Sequence, residues 1–194
     1  MKNYTITIDT GTTNTRVFLF NEKNEVAASA KSEIGVRITA IDGNNNRLKT
    51  AIRGCLEEVL KQAGITYDEV KKVVASGMIT SNVGLVEIPH VVAPASAEDL
   101  AEAAKSVLIE DVCPLPILFI PGVKNRDGKL DLATFESMDM MRGEEVETVA
   151  VVESLPKGQA YLLVLPGSHT KFVSVDCAGK ITGCLTTISG ELLS

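Results

Sequence analysis

Tyr4-Thr-Ile-Thr-Ile-Asp-Thr-Gly-Thr-Thr-Asn-Thr-Arg-Val-Phe-Leu-Phe20 is the stretch on which the reading of the fold turns. Ile6 and Ile8 alternate with Thr5 and Thr7 up to Asp9, and Val17, Leu19 and the flanking phenylalanines resume the same period of two. That pattern predicts strand, tight turn, strand. Between the two runs stand one acid, one glycine and a cluster of hydroxyls and amides. Gly11 lets backbone approach a ligand closely, Thr12, Thr13 and Asn14 offer donors, and Asp9 at the strand end is suited to a hydrated cation. The turn is a candidate phosphate cradle.

Working outward, Asn21-Glu22-Lys23-Asn24 is a polar turn and residues 26–31 a third strand, so three antiparallel strands are expected across residues 4–33. Residues 34–41 are ambiguous and residues 42–46 a loop. Leu48, Ile52, Leu56, Val59 and Leu60 fall at helical spacing, which predicts a helix over residues 46–63 ended by Gly64. Residues 70–76 read as a strand. Further elements are a helix over residues 96–106 with Ser96 as its N-cap, a buried strand within residues 114–121, and a helix over residues 139–152 with Met140, Met141, Val146, Val149 and Ala150 on its apolar side. Residues 76–96 leave the end of a buried strand, where α/β sheets keep their ligands. The alternation of strand, helix and strand gives the class α/β with a mixed sheet. Ser154-Leu-Pro-Lys-Gly158 is the expected boundary between a first domain, 1–154, and a second, 155–194.

The opening pattern returns. Tyr161-Leu-Leu-Val-Leu-Pro-Gly-Ser-His-Thr-Lys-Phe-Val-Ser-Val175 lies on it when residue numbers are shifted by about 156, with Gly167 on Gly11, Ser168 on Thr12 and Thr170 on Asn14. Residues 181–187 fall on the third strand. Two such turns are expected to grip a polyphosphate from both sides with backbone N–H groups and hydroxyls.

Bulk properties narrow the function. The formal net charge is −6, aromatic residues make up 4% and there is no Trp, which disfavours nucleic acid and anionic membranes as partners. The four cysteines, Cys55, Cys113, Cys177 and Cys184, match no zinc or C-x-x-C spacing and read as free thiols of a reducing compartment. Lys2, Asn3 and an alternating strand follow Met1 directly, no signal peptide is recognised and no apolar run reaches membrane-spanning length, so a cytoplasmic location is expected.

Asp9-Thr-Gly-Thr-Thr-Asn-Thr-Arg16 resembles the first phosphate loop of the actin, hexokinase and Hsp70-type superfamily, whose fold is the actin-like ATPase (ribonuclease H-like) one. Leu165-Pro-Gly-Ser-His-Thr-Lys-Phe-Val173 resembles its second. Within that superfamily the chain is most similar to the 2-dehydro-3-deoxygalactonokinases. The similarity extends through Ser76-Gly77-Met78 with Gly84, Glu87, Pro89 and His90, through Met141-Arg142-Gly143-Glu144-Glu145, and through Gly190-Glu191-Leu192. The chain departs from the family at Thr10, Leu85 and Phe172, where Trp is common. The family's adenosine-binding part, which lies later in the second domain, has no counterpart here. An N-terminal fragment, or a partner chain that completes the site, is therefore expected.

The resemblance implies ATP and Mg²⁺ as cofactors and a small sugar acid as substrate. It implies that Asp9 holds the metal, that Gly11, Thr12, Thr13, Asn14, Gly167, Ser168 and Thr170 bind phosphate, and that Glu144 is the general base, with Glu145 in reserve. Arg142, Ser76, Gly77, Met78 and Asn82 are the expected substrate contacts. The implied reaction is ATP-dependent phosphorylation of 2-dehydro-3-deoxy-D-galactonate to its 6-phosphate, in galactonate breakdown. Two other readings stand beside it: a non-catalytic module that holds sugar acid, and an actin-like ATPase acting on a protein partner. Oligomeric state, homo-oligomer included, stays open.

Overall fold

The computed structural model describes residues 3–129, 131–132, 134–167 and 169–192. Contacts divide the chain into two compact units. The first takes the chain up to Ile88 and then Ala104–Ile120; the second takes Pro89–Ala103 and the chain from Pro121 onward.

The first unit opens with the predicted meander, β1 (Tyr4–Thr10), β2 (Thr15–Phe20) and β3 (Val26–Ser32). Ile6, Ile8, Val17 and Leu19 point to one face and are fully buried there. The ambiguous stretch forms a short helix, α1 (Arg37–Asp42). The predicted long helix is α2 (Asn46–Ala63), ended by Gly64 in the left-handed conformation with its N–H on the Leu60 and Lys61 carbonyls. It packs on β2 and β3 through Leu48, Ile52, Leu56 and Val59, and each such side chain contributes about 1.5–3 kcal/mol by leaving water. β4 (Val70–Gly77) then runs parallel to β1.

The predicted helix over residues 96–106 is shorter. α3 (Ala97–Ala103) starts at Ser96, which caps it reciprocally: the Asp99 N–H donates to the Ser96 hydroxyl (3.2 Å) and the Ser96 N–H to the Asp99 carboxylate (2.8 Å). It lies in the second unit. The chain crosses at Ala104, and β6 (Lys105–Val107) pairs antiparallel with β7 (Ile117–Phe119), Ser106 opposite Leu118. Strand pairing thus overrides helical continuation, a tertiary effect that local propensity does not register. The completed sheet has the order β3-β2-β1-β4-β7-β6, with β1, β4 and β7 parallel at its centre.

In the second unit, β5 (Val91–Val92), β8 (Val123–Lys124) and β9 (Met140–Met141) form one small sheet. The helix expected over residues 139–152 is corrected: Met140 and Met141 belong to β9, and α4 spans Glu144–Ser154. Gly143, at φ +113°, breaks the backbone between them. The later start rotates the buried face onto Glu145, Thr148 and Val152, leaving Ala150 exposed. β10 (Tyr161–Leu165), β11 (Thr170–Val175) and β12 (Ile181–Thr187) form the predicted second meander, followed by α5 (Ser189–Leu192). All four cysteines are free. Among the described residues no helix is long and apolar enough to cross a membrane.

Candidate active site

The first loop is held by its base and by a neighbouring segment. Thr10 and Thr15, the paired ends of β1 and β2, are fully buried, and the Thr15 hydroxyl donates to the Ile34 carbonyl at 2.8 Å. The Gly11 N–H donates to the Asn14 carbonyl at 2.9 Å and closes the turn. From the side, the Val36 N–H donates to the Gly11 carbonyl (3.1 Å) and the Arg37 N–H to the Thr12 carbonyl (3.0 Å). The loop backbone and the start of α1 are therefore stitched together, with Thr12 and Thr13 exposed at the tip. Asn14 points back into the turn and donates to the Thr13 hydroxyl at 2.9 Å.

Asp9 sits beside this loop. Its antiparallel partner on β2 is Arg16 and its parallel partner on β4 is Ser76. The Arg16 guanidinium lies 3.4 Å from the carboxylate, both side chains being about half exposed, so the pair is weak. Burial raises the Asp9 carboxyl above its ordinary range, and the Arg16 charge and hydrogen bond oppose that. Gly77, at φ +85°, ends β4 where a Cβ would stand 2.8 Å from the Thr10 carbonyl and 3.0 Å from the Asp9 carboxylate. Only glycine leaves that flank of Asp9 open. Asp9, residues 11–14, Ser76 and Gly77 are thus brought to one end of the central strands. Met78 starts the short 3₁₀ turn Met78–Thr80 that follows, and Asn82 is exposed one turn further on.

The other predicted residues belong to the second unit. Gly143 is the N-cap of α4. Glu144, partly exposed, accepts from the Arg142 N–H at 3.1 Å. Glu145 is fully buried and takes the Gly143 N–H with both oxygens, at 2.9 and 2.8 Å. Burial pushes its carboxyl up to about 8, only partly opposed by the Gly143 N–H. The Arg142 guanidinium approaches His90 Nδ1 at 3.4 Å, and burial, then the Arg142 and Lys124 charges, drive His90 down to about 4, so its ring is neutral near pH 7. In the second loop Gly167 is exposed, Thr170 donates to the Gly167 carbonyl (3.4 Å) and its hydroxyl accepts from Ser189 (3.2 Å). Ser168 lies outside the described residues.

Folded Glu145 retains a proton that an unfolded chain releases near 4.5. Its contribution to stability is complete below that value and lost as pH rises to about 8. Thermal melts should show wild type losing stability relative to Glu145→Gln over that window, by an amount on the order of a few kcal/mol.

The two hairpins differ in one respect. Thr10 pairs with Thr15 across residues 11–14, whereas Leu165 pairs with Lys171 across residues 166–170, one residue more. The extra residue moves β10 by one position against the repeat. Ile6 and Ile8 are buried, but Leu162 and Val164, their counterparts at a shift of 156, are exposed. A slip of one residue turns a whole strand over. By pairing register, the position that holds Asp9 in the first hairpin is filled by Val164 in the second. The acid belongs to the first loop alone.

The architecture and these local arrangements can be set against known proteins. The family model for 2-keto-3-deoxy-galactonokinase matches residues 9–194. The chain belongs to the 2-keto-3-deoxy-galactonokinase family. It is 30% identical to the Escherichia coli 2-dehydro-3-deoxygalactonokinase over 188 residues, covering 96% of this chain and 54% of that protein. A Rhizobium meliloti protein, "Probable 2-dehydro-3-deoxygalactonokinase", is 27% identical over 189 residues, covering 97% of this chain and 55% of the relative. A crystal structure from Sinorhizobium meliloti, assigned to the same activity, is similar with a TM-score of 0.73 and 26% identity, covering 96% of this chain and 55% of that one. The Aquifex aeolicus Ppx/GppA phosphatase, at 14% identity and a TM-score of 0.51 over 98% of this chain and 54% of its own, shares the fold only. The fold is the actin-like ATPase one. The chain spans about half the length of the curated relatives it matches.

Several residues of this kinase-family chain carry structural roles at the site that pattern reading did not reach. Gly35 lies in a stretch with no clear period, where its one signal is a glycine between Ile34 and Val36. Lys171 directly follows the second loop but points inward: it is buried and donates to the Met140 carbonyl at 2.6 Å and to the Thr186 hydroxyl. Asp139, 3.7 Å from the Lys171 ammonium, also accepts from the Thr186 N–H and hydroxyl.

Proposed function

We propose that the full-length protein transfers the γ-phosphoryl group of ATP to a hydroxyl of a 2-keto-3-deoxy sugar acid, converting 2-dehydro-3-deoxy-D-galactonate to its 6-phosphate in the cytoplasm. The observation that carries this is Asp9, set at the strand end beside a Gly-Thr-Thr-Asn turn whose carbonyls are tied to residues 36 and 37, in a chain of a sugar-acid kinase family. Residues 1–154 are read as the sugar-binding and first-phosphate domain and 155–194 as the opening of the nucleotide-binding domain.

Thr12, Thr13 and the loop amides would bind phosphate oxygens, with Gly11 allowing close approach. Gly167, Thr170 and Ser168 would do the same from the second loop. Asp9 fits Mg²⁺: it is a half-exposed carboxylate with only a weak partner and an open flank at Gly77. Among the described residues no group of three or more His, Cys, Asp or Glu is placed to hold a metal. A magnesium ion at Asp9 would be held by one carboxylate together with phosphate oxygens and water, and would neutralise developing phosphate charge. Glu144 is the base that takes the proton from the attacking hydroxyl. It is the partly exposed member of the glutamate pair, whereas Glu145 has both oxygens turned inward onto the Gly143 N–H. Arg142 would pair with the substrate carboxylate, and Ser76, Gly77, Met78 and Asn82 would contact the sugar.

A coupled assay on the full-length protein tests this. Asp9→Asn should lower kcat by about 10²–10³-fold and Glu144→Gln by about 10²–10⁴-fold. Wild-type turnover in both variants would defeat the mechanism. Sugar-acid binding with no ATP turnover would favour the binding module, and nucleotide-dependent assembly with no response to sugar acids would favour the actin-like ATPase.

A further inference from the structure

Glu145 is fully buried at the start of α4, with both carboxyl oxygens on the Gly143 N–H. We propose that Glu145 is a positioning residue, an internal brace that holds the Gly143 N–H with both carboxyl oxygens and so sets where Arg142 and Glu144 project. The proposal rests on the reading of Glu144 as base and goes beyond it.

The geometry is local and mutually dependent. Gly143 sits at φ +113°, a backbone state that other residues avoid and that glycine enters and leaves freely, so the residue by itself does not fix the bend. Glu145, fully buried and the second residue of α4, supplies a contact that holds it, at 2.9 and 2.8 Å. With the bend held, the Arg142 N–H reaches the Glu144 carboxylate (3.1 Å) and the Arg142 guanidinium reaches His90 Nδ1 (3.4 Å). Removing the brace releases the bend, and the orientation of both neighbouring side chains goes with it.

The charge state of the brace follows from what faces it. On its own segment these are Glu144 and Arg142. From β12 it is Cys184, whose thiol is pushed up to about 12 by burial and by Asp139, with both glutamates adding to the shift and Lys171 opposing it. Burial favours the protonated form of Glu145, and the Gly143 N–H, which reaches both oxygens, opposes it. Ionisation would place a buried negative charge beside the partly exposed Glu144 and the Cys184 thiol. Gln at this position keeps an acceptor for the Gly143 N–H and cannot ionise.

The experiment uses the full-length protein with Glu145→Gln and Glu145→Ala, read in two ways. Hydrogen exchange at the Gly143 amide, without substrate, should be unchanged in Glu145→Gln and faster in Glu145→Ala. In the kinase assay near pH 7, Glu145→Ala should lose about 10–100-fold, mostly in kcat, through misplacement of the base. Glu145→Gln should stay within a few-fold of wild type. Unchanged Gly143 exchange in a folded Glu145→Ala overturns the brace. If Glu145→Ala does not fold, Glu145→Met, which keeps the stem and has no oxygen acceptor, takes its place, and unchanged Gly143 exchange there overturns the brace. The exchange measurement needs no catalysis, so failure of the Glu144 assignment and failure of the brace are told apart.

Discussion

Replacing Gly35 by alanine is expected to cost about 2–4 kcal/mol of stability and to displace the loop of residues 11–14 proposed to bind phosphate. The Gly35 backbone needs no unusual φ; the cost is steric. A Cβ there would lie 2.4 Å from the Gly11 carbonyl oxygen and 2.6 Å from the Thr12 carbonyl carbon and oxygen. All three are main-chain atoms, so no side chain can swing aside. The loop must move outward, and the hydrogen bonds from the Val36 and Arg37 N–H groups to Gly11 and Thr12 stretch or break with it. Gly54→Ala is the internal control. Gly54 lies in the middle of α2 with nothing within 4 Å of its Cβ position, and alanine should there stabilise by about 0.5–1 kcal/mol. Chemical denaturation and ATP titration of both variants check the pair. A Gly35→Ala protein with wild-type midpoint and wild-type ATP affinity would show that the loop does not depend on this contact.

Lys171→Ala is expected to lower stability by about 3–5 kcal/mol, the range for removing one partner of a buried ion pair. It leaves the Met140 carbonyl without its donor and Asp139 without its cation. It also removes the ammonium that joins Met140 to Thr186, so that Asp139 alone holds this segment to Thr186 by hydrogen bonds. Lys171→Met, which keeps the stem and loses the charge, should cost less in an Asp139→Asn background than alone, because the amide removes the uncompensated charge while still accepting from Thr186. Equal costs in the two backgrounds, read from denaturant midpoints, would mean that Asp139 and Lys171 are not coupled.

Arg16 and Lys171, each close after its loop, look equivalent in sequence, yet one faces out beside Asp9 and the other is buried in a polar network. Lys171 takes the place of Thr15, which is buried, whereas Arg16 corresponds to Phe172, and successive residues of a strand face opposite ways. Likewise the pair Glu144-Glu145 reads as one acidic face of a helix. Gly143 starts that helix later than periodicity suggests, and the later start turns Glu145 inward and leaves Glu144 partly exposed.

What residues 4–20 determined by themselves was local: alternation over a few residues, a turn of small and hydroxylated side chains, an acid at the strand end, and their repetition after residue 160. The same holds for α2, whose apolar spacing and closing glycine are contained in one segment. These features survive because strand pairing across a short turn and helical periodicity are set by neighbours in the chain. The tertiary structure decided the rest: Gly35 against the first loop, Gly77 against Asp9, the inward turn of Glu145 and Lys171, and the slip that leaves Asp9 without a counterpart. Each depends on a distance between segments that are remote in sequence or on a register set by one residue, and burial by such partners leaves no periodic trace.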